Sequence, residues 1–429
     1  MPAPVGPVLR LAANSDERYR FAITTFKNSD ETNIVHGVFG HGDLSAITDF
    51  ESKAVTVPRT VLAGFSPESR LLPYFRSQSQ IDLLSKIVKQ PSIGEHIDET
   101  WFTEPYTELH RAQDSNRFVE SEEDGDYPIY GGSNIFQFSY DNSHVWVDEP
   151  TLWSVDEDVD PSISAKRRIR EKQFRGHDPL FSPKKAVYDA FDGTGSQKGF
   201  VDNLLESERG HPLSLDDVLL DCSEYRIAYR EIANVGNERS MIATVLPKGI
   251  VCHHKLHTVR PYVINPTHDD LKNDNLHSAY ERIFTDKELF VAVGLLNSLP
   301  FDYLLRSKID NSIVMYKFRE SQVPRLTDGD NWFHYISDRA ARLNCYGDEF
   351  EEMRDRLGGI KPAETEEERQ KIQAEIDAAS MHAYGLNQED VEFLLNDFHR
   401  VSNPRIMKDE YFEEVLQKFE VLEEKGPQP

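Results

Sequence analysis

Apolar and polar positions alternate and cluster in ways that divide the chain into three textures. Near the start, period-two alternation predicts strands over residues 20–26 and 35–39, joined by a polar turn at 27–33. Ile81, Leu84 and Val88 then fall on one face of a helix over 80–89, with Ser77 or Ser79 as its cap and Pro91 as its stop. Residues 94–126 read as irregular. From Tyr127 the pattern changes to short β-like runs at 127–130, 135–140, 225–229, 241–246 and 249–253, with Gly131-Gly132 turning between the first two. Thr285 and Glu288 are spaced as a capping box for a helix over 286–299, and 312–318 reads as a final strand.

Beyond residue 325 the period becomes helical. Trp332, Tyr335, Ile336, Ala340 and Leu343 form one stripe, and Ile372, Ile376, Ala379 and Ala383 form another behind a Thr365-x-x-Glu368 cap. Gly385 ends that helix and Asn387 starts a shorter one. The fold class expected is mixed α/β: a helical N-terminal connector over 1–95, a β-rich domain over 96–325 and a helical C-terminal region over 326–429.

Charge changes this picture in one respect. The 48 basic residues are outnumbered by 74 acidic ones, a net −26, which disfavours phosphate binding by the chain as a whole and suits solubility in a salt-rich cytoplasm. Residues 161–260 nevertheless carry 16 Lys/Arg against 13 Asp/Glu, whereas 326–429 carry 12 against 25. A nucleic-acid face, if present, belongs to the middle of the chain. Cys222, Cys252 and Cys345 are far apart, which suits a reducing compartment and excludes a disulfide scaffold. Neither a signal peptide nor a membrane span is legible, so a cytoplasmic protein is expected.

Candidate chemistry is sparse. No Asn-Pro-Pro-aromatic loop occurs; Asn265-Pro266 and Asn403-Pro404 read as turns, and Gly193-Thr194-Gly195 follows a polar dipeptide, not an apolar strand. His253, His254 and His257 beside Cys252 lack a zinc spacing, and alternation sends His253 and His254 to opposite faces. No metal or catalytic residue is assigned. The densest basic run, Lys166, Arg167, Arg168, Arg170, Lys172 and Arg175, suits phosphate contacts; it equally suits a solvated face paired to Asp156, Glu157, Asp158 and Asp160. Arg226, Arg230, Arg239, Asn234 and Asn237 are residue types that read guanine or adenine in a major groove, and His254 with Lys255 can contact phosphates or base edges.

Certain phrases carry a family resemblance. Tyr225-Arg226-Ile227-Ala228-Tyr229-Arg230-Glu231-Ile232 and Asn237-Glu238-Arg239-Ser240-Met241-Ile242-Ala243 resemble the target-recognition region of large adenine-specific DNA methyltransferases, namely the type IIG restriction–modification enzymes and related methyltransferases of phage-defence systems such as DISARM and BREX. Tyr127-Pro128-Ile129-Tyr130-Gly131-Gly132 followed by Phe136-Gln137-Phe138 resembles the opening of that region. Leu295-Leu296-Asn297-Ser298, Phe301-Asp302 and Val323-Pro324 are similar to the close of type I specificity domains. Phe21-Ala22-Ile23, Phe65 to Arg70 and Phe75-Arg76-Ser77 resemble the end of a methyltransferase domain and its connector; Met381 to Asn387 and Phe393-Leu394-Leu395 resemble the family's last helices.

The resemblance implies double-stranded DNA as partner. It implies an S-adenosylmethionine-binding methyltransferase activity that this chain lacks the motifs to perform, so cofactor and catalysis are expected in a methyltransferase subunit or another defence protein. Lys166, Arg167, Arg168, Arg170 and Arg175 are the expected backbone contacts, and Arg226, Arg230, Asn237, Arg239, His254 and Lys255 the expected contacts near bases or phosphates. Two other expectations stay open: a methyltransferase subunit active only with its cofactor-binding partner, and a decayed protein that binds only other proteins.

Overall fold

The computed structural model describes residues 33–39, 48–70, 73, 75–141, 151–158 and 160–427. The strand expected over 20–26 and the phrase Phe21-Ala22-Ile23 lie outside them. Twelve strands are present among the described residues: β1 Ile34–Gly37, β2 Val55–Pro58, β3 Pro105–Tyr106, β4 Phe118–Val119, β5 Tyr127–Tyr130, β6 Leu152–Ser154, β7 Arg226–Arg230, β8 Ala243–Leu246, β9 Val251–Cys252, β10 Leu256–Val259, β11 Tyr262–Ile264 and β12 Tyr280–Arg282. They form two four-stranded sheets, ordered β3-β10-β7-β8 and β4-β6-β5-β9, and two two-stranded ones, β1-β2 and β11-β12. With extensive helix around them, the fold is mixed α/β.

β7 occupies an interior position, with Leu256 opposite Arg230 on one side and Leu246 opposite Arg226 on the other. Its first four residues are buried. The edge strand β8 is capped by side chains in place of a further strand. Asn297 accepts from the Ala243 amide and donates to its carbonyl, and Asn344 does the same for Val245. Each primary amide mimics one peptide group, so buried ladder positions on β8 stay satisfied without an exposed edge.

Two expected strands take other forms. Residues 135–140 are a plug: Phe136 and Ser139 bridge each other, Phe138 turns with φ 56°, and its amide donates to the Ala243 carbonyl. Positive φ is incompatible with extended backbone, so Gly131-Gly132 does not close a hairpin there; β5 pairs instead with β6 and, in parallel, with β9. Within 312–318, Ser312 bridges Ile232 and the chain then coils into the helix Met315–Arg319. That turn buries Phe318, whose ring stacks on Tyr229 at 4.2 Å.

Helices largely match their sequence signals. Ser77 caps Gln78–Ile87, the Thr285/Glu288 box starts Asp286–Leu296, Thr365 caps Glu366–Ala383 and Asn387 caps Gln388–Asp397. The apolar helix Asp286–Leu296 breaks at Asn297 and resumes as Leu299–Arg306 at 54°. No single helix among the described residues is long and apolar enough to cross a membrane, and this bent pair lies in the core. Phe333–Asn344 and Glu366–Ala383 pack against it, and Asp409–Lys425 packs on Glu366–Ala383. One continuous apolar cluster reaches from Val57 through Tyr229 and Phe290 to Leu422. The helices Pro183–Ala190 and Gln197–Arg209, on either side of Gly193-Thr194-Gly195, build a smaller cluster of their own with Leu271 and Leu276.

Candidate nucleic-acid interface

Three connections meet at one end of the sheet β3-β10-β7-β8. The first, residues 107–114, leaves β3; the second, Gly131-Gly132, leaves β5; the third, His253-His254-Lys255, joins β9 to β10. Pairing dictates the meeting. β5 runs parallel to β9 with Tyr130 opposite Cys252, which delivers Gly131 to His253. A parallel bridge joins Leu109 to His253, and the β10 register sets Leu256 beside Arg230 at the end of β7.

Each connection is fixed from inside. Buried Glu108 accepts from Arg226 Nη2 at 3.0 Å and from the Cys252 amide at 2.7 Å. Lys172 donates to the carbonyls of Thr107 and Glu108, and burial depresses its pKa. Asp114 accepts from the His110 amide at 2.8 Å and from Arg168 Nε at 3.0 Å. In the third connection, His253 Nδ1 accepts from the Lys255 amide, and the Leu256 amide closes the turn onto the His253 carbonyl.

His110 and His254 stack at 4.0 Å with an interplanar angle of 9°. Burial lowers the His254 pKa, with His110 and Lys255 adding to the effect, so the ring is neutral at pH 7. Because its Nδ1 accepts from the Arg111 amide, Nε2 carries the proton and serves as a donor. Arg111 is exposed. Lys255 Nζ lies 2.9 Å from Glu231 with its side chain 40% exposed. Arg230 donates to the Ile135 carbonyl and faces the ring of Phe136, which Arg405 also faces. The end therefore gathers exposed Arg111 and half-buried Arg230, His254 and Lys255 on a rigid base, an edge of donors suited to phosphate oxygens and purine edges.

The structure brings together three of the residues singled out in the sequence, Arg230, His254 and Lys255, and it corrects two others. Arg226 is 1% exposed and paired with Glu108; Arg239 is 4% exposed and paired with Asp377 at 2.8 Å. Neither guanidinium has a surface to offer DNA. β7 is interior, so Arg226 points into protein. Arg239 instead ties the β7–β8 connection to two C-terminal helices, since Asp377 also accepts from the Tyr411 hydroxyl and the Leu299 amide. Asn237 is exposed in the same connection, its carbonyl held by Arg306.

The basic run forms the helix Ala165–Phe174, capped by Ser164, and most of its charge is committed. Arg167 pairs with Glu171, Arg168 with Asp114, and Arg170 with Glu157 and Asp216. Lys166 lies 4.5 Å over the Tyr127 ring. Arg175 is exposed at the helix C-cap. The solvated, acid-paired alternative describes this helix better than a row of phosphate contacts, and its Lys172 and Arg168 brace the 107–114 connection. His110 and Arg111 were not singled out in the sequence. They sit in a stretch without periodicity, and only the pairing of β3 with β10 brings them to the others. Among the described residues, no group of three or more His, Cys, Asp or Glu is placed to hold a metal.

No protein-family model and no curated protein matches the chain. Among solved structures, the type IIL restriction–modification enzyme MmeI in complex with DNA superposes with TM-score 0.32 and 11% identity over 76% of this chain. This chain spans 38% of that enzyme's chain. At that TM-score the likeness carries no weight for fold or function.

Proposed function

We propose that this chain is a sequence-specific DNA-recognition module of a restriction–modification or phage-defence system of the adenine-specific methyltransferase type, seating duplex DNA on the sheet end that bears Arg111, Arg230, His254 and Lys255. One observation carries the reading: the two phrases that most resemble target-recognition sequence, Tyr127–Gly132 and Arg226–Ala243, converge in space. An added Cβ on Gly132 would lie 3.1 Å from the Lys255 carbonyl and 3.6 Å from Arg230 Cγ. Residues distant in sequence thus form one donor-rich edge with a rigid interior, as base readout requires. Methyl transfer and S-adenosylmethionine belong, in this reading, to a partner subunit in the same reducing compartment, where three buried free cysteines are at home.

Fluorescence anisotropy with dye-labelled random-sequence duplexes tests this. Saturable binding at low salt that is lost in Arg111→Glu/Lys255→Glu and kept in Arg167→Glu is the expected result. Absence of binding by the unaltered chain, or equal loss in all variants, would overturn it.

A further inference from the structure

Six large apolar side chains are exposed by about two fifths or more among the described residues, and three of them belong to one corner. Ile232 (56% exposed) and Val235 (39%) lie on the connection leaving β7, and Tyr316 (46%) follows the segment paired with it. Exposed aliphatic side chains on a mobile loop would call for no explanation, but this loop is pinned. Ile232 bridges Ser312, the Ala233 amide donates to the Asn311 carbonyl, and Asn234 bonds the Asn311 side chain at 3.0 Å. Asn234 Oδ1 accepts from the Gly236 amide, and the Asn237 amide closes the turn onto the Asn234 carbonyl. Arg306 then grips the carbonyls of Val235, Asn237 and Glu238 at 2.6, 2.9 and 3.0 Å. Ala233, between the two exposed residues, is 1% exposed and anchors the loop in the core. The backbone is thus held so that Ile232 and Val235 project while their neighbour is buried.

The position of the loop says what covers it. It begins one residue after Arg230, and Glu231, immediately before Ile232, pairs with Lys255 through its side chain and donates its amide to the Lys255 carbonyl. The apolar tip therefore stands directly beside the cationic end. A polyanion with an apolar interior that opens locally, duplex DNA, matches both halves of this surface. Unstacking a base step costs energy that an inserted aliphatic side chain and a wrapped phosphate backbone return, and a pre-pinned wedge avoids ordering a loop on binding.

We infer that Ile232 and Val235 form an apolar wedge that enters the base stack and bends the duplex seated on Arg111, Arg230, His254 and Lys255. The inference rests on the DNA-binding reading above, and its test separates the two. Random-sequence duplexes of about 30 bp, carrying donor and acceptor dyes at their ends, report binding by anisotropy and bending by energy transfer in one titration. The full chain is expected to raise the transfer. Ile232→Ser/Val235→Ser, whose changes are at exposed positions and whose melting should match the parent, is expected to bind within about tenfold of the parent while transfer stays at the free-DNA value. If the variant bends DNA as the parent does, the wedge is wrong and the binding reading stands. If the parent binds no duplex at low salt, both fall. If the parent self-associates by light scattering and the variant is monomeric with unchanged bending, the apolar tip is a protein interface and the wedge is overturned.

Discussion

Single residues at this site act from within. Arg226 reaches no solvent, yet its bond to Glu108 fixes the connection that carries His110 and Arg111. Breaking a buried pair strands one charge, so Glu108→Gln should lower unfolding free energy by about 3–5 kcal/mol. Replacing both partners by apolar residues, Arg226→Met/Glu108→Leu, should recover much of that in a urea titration. Lys308 offers a second residue-scale test. Its Nζ donates to the Glu320 carbonyl and Gln322 Oε1 and sits 4.7 Å from the Phe65 ring, and burial pulls its pKa down to about 7. The unfolded chain, with an ordinary lysine near 10.4, binds more protons than the folded one between about pH 7 and 10. Stability therefore rises with pH across that window. In Lys308→Met this rise should be absent; melting curves at pH 7 and 9 that change in parallel for both proteins would refute the assignment.

Elements divide into those that local signals specify and those that pairing specifies. Caps at Ser77, Thr285, Thr365 and Asn387 were legible because a side chain and an amide a few residues later settle the matter. β5, β7 and β8 were legible from alternation, to within one or two residues. Residues 135–140 were not, because their extended-looking sequence is overruled by a positive φ at Phe138 and by the buried Gln137 amide, which donates to the carbonyls of Met241 and Asn297. Strands as short as β3 and β4 have no period to show. For the same reason the site was half legible: Arg230, His254 and Lys255 lie in readable β texture, His110 and Arg111 do not, and inward or outward orientation of Arg226 depends on which strands flank β7. Two element-scale outcomes follow. Asn344→Leu leaves the buried Val245 peptide and Thr244 hydroxyl without their partner, at about 1–3 kcal/mol for each group stranded, measurable by denaturation. A Cβ on Gly131 would overlap the buried His253 ring, so Gly131→Ala should cost about 1–3 kcal/mol and weaken DNA binding by moving the His253-His254-Lys255 turn.

At the scale of the whole molecule, net charge and local site pull in opposite directions, and salt separates them. A chain of net −26 repels itself when compact, so screening should raise its melting temperature as potassium chloride increases. DNA binding should respond the other way. With about three cations, Arg111, Arg230 and Lys255, displacing counterions, the slope of log affinity against log salt is expected at about −2.7, roughly a fortyfold loss between about 50 and 200 mM. Removing Arg111 and Lys255 together should bring that slope up by about two, while leaving the melting response almost unchanged, because both side chains are at the surface. A slope that is insensitive to the pair would place the phosphates elsewhere on the protein. If most of the affinity survives molar salt, base contacts and the bent duplex carry it, since neither depends on counterion release; the same titration on Ile232→Ser/Val235→Ser then assigns that remainder to the wedge or to the polar edge beside it.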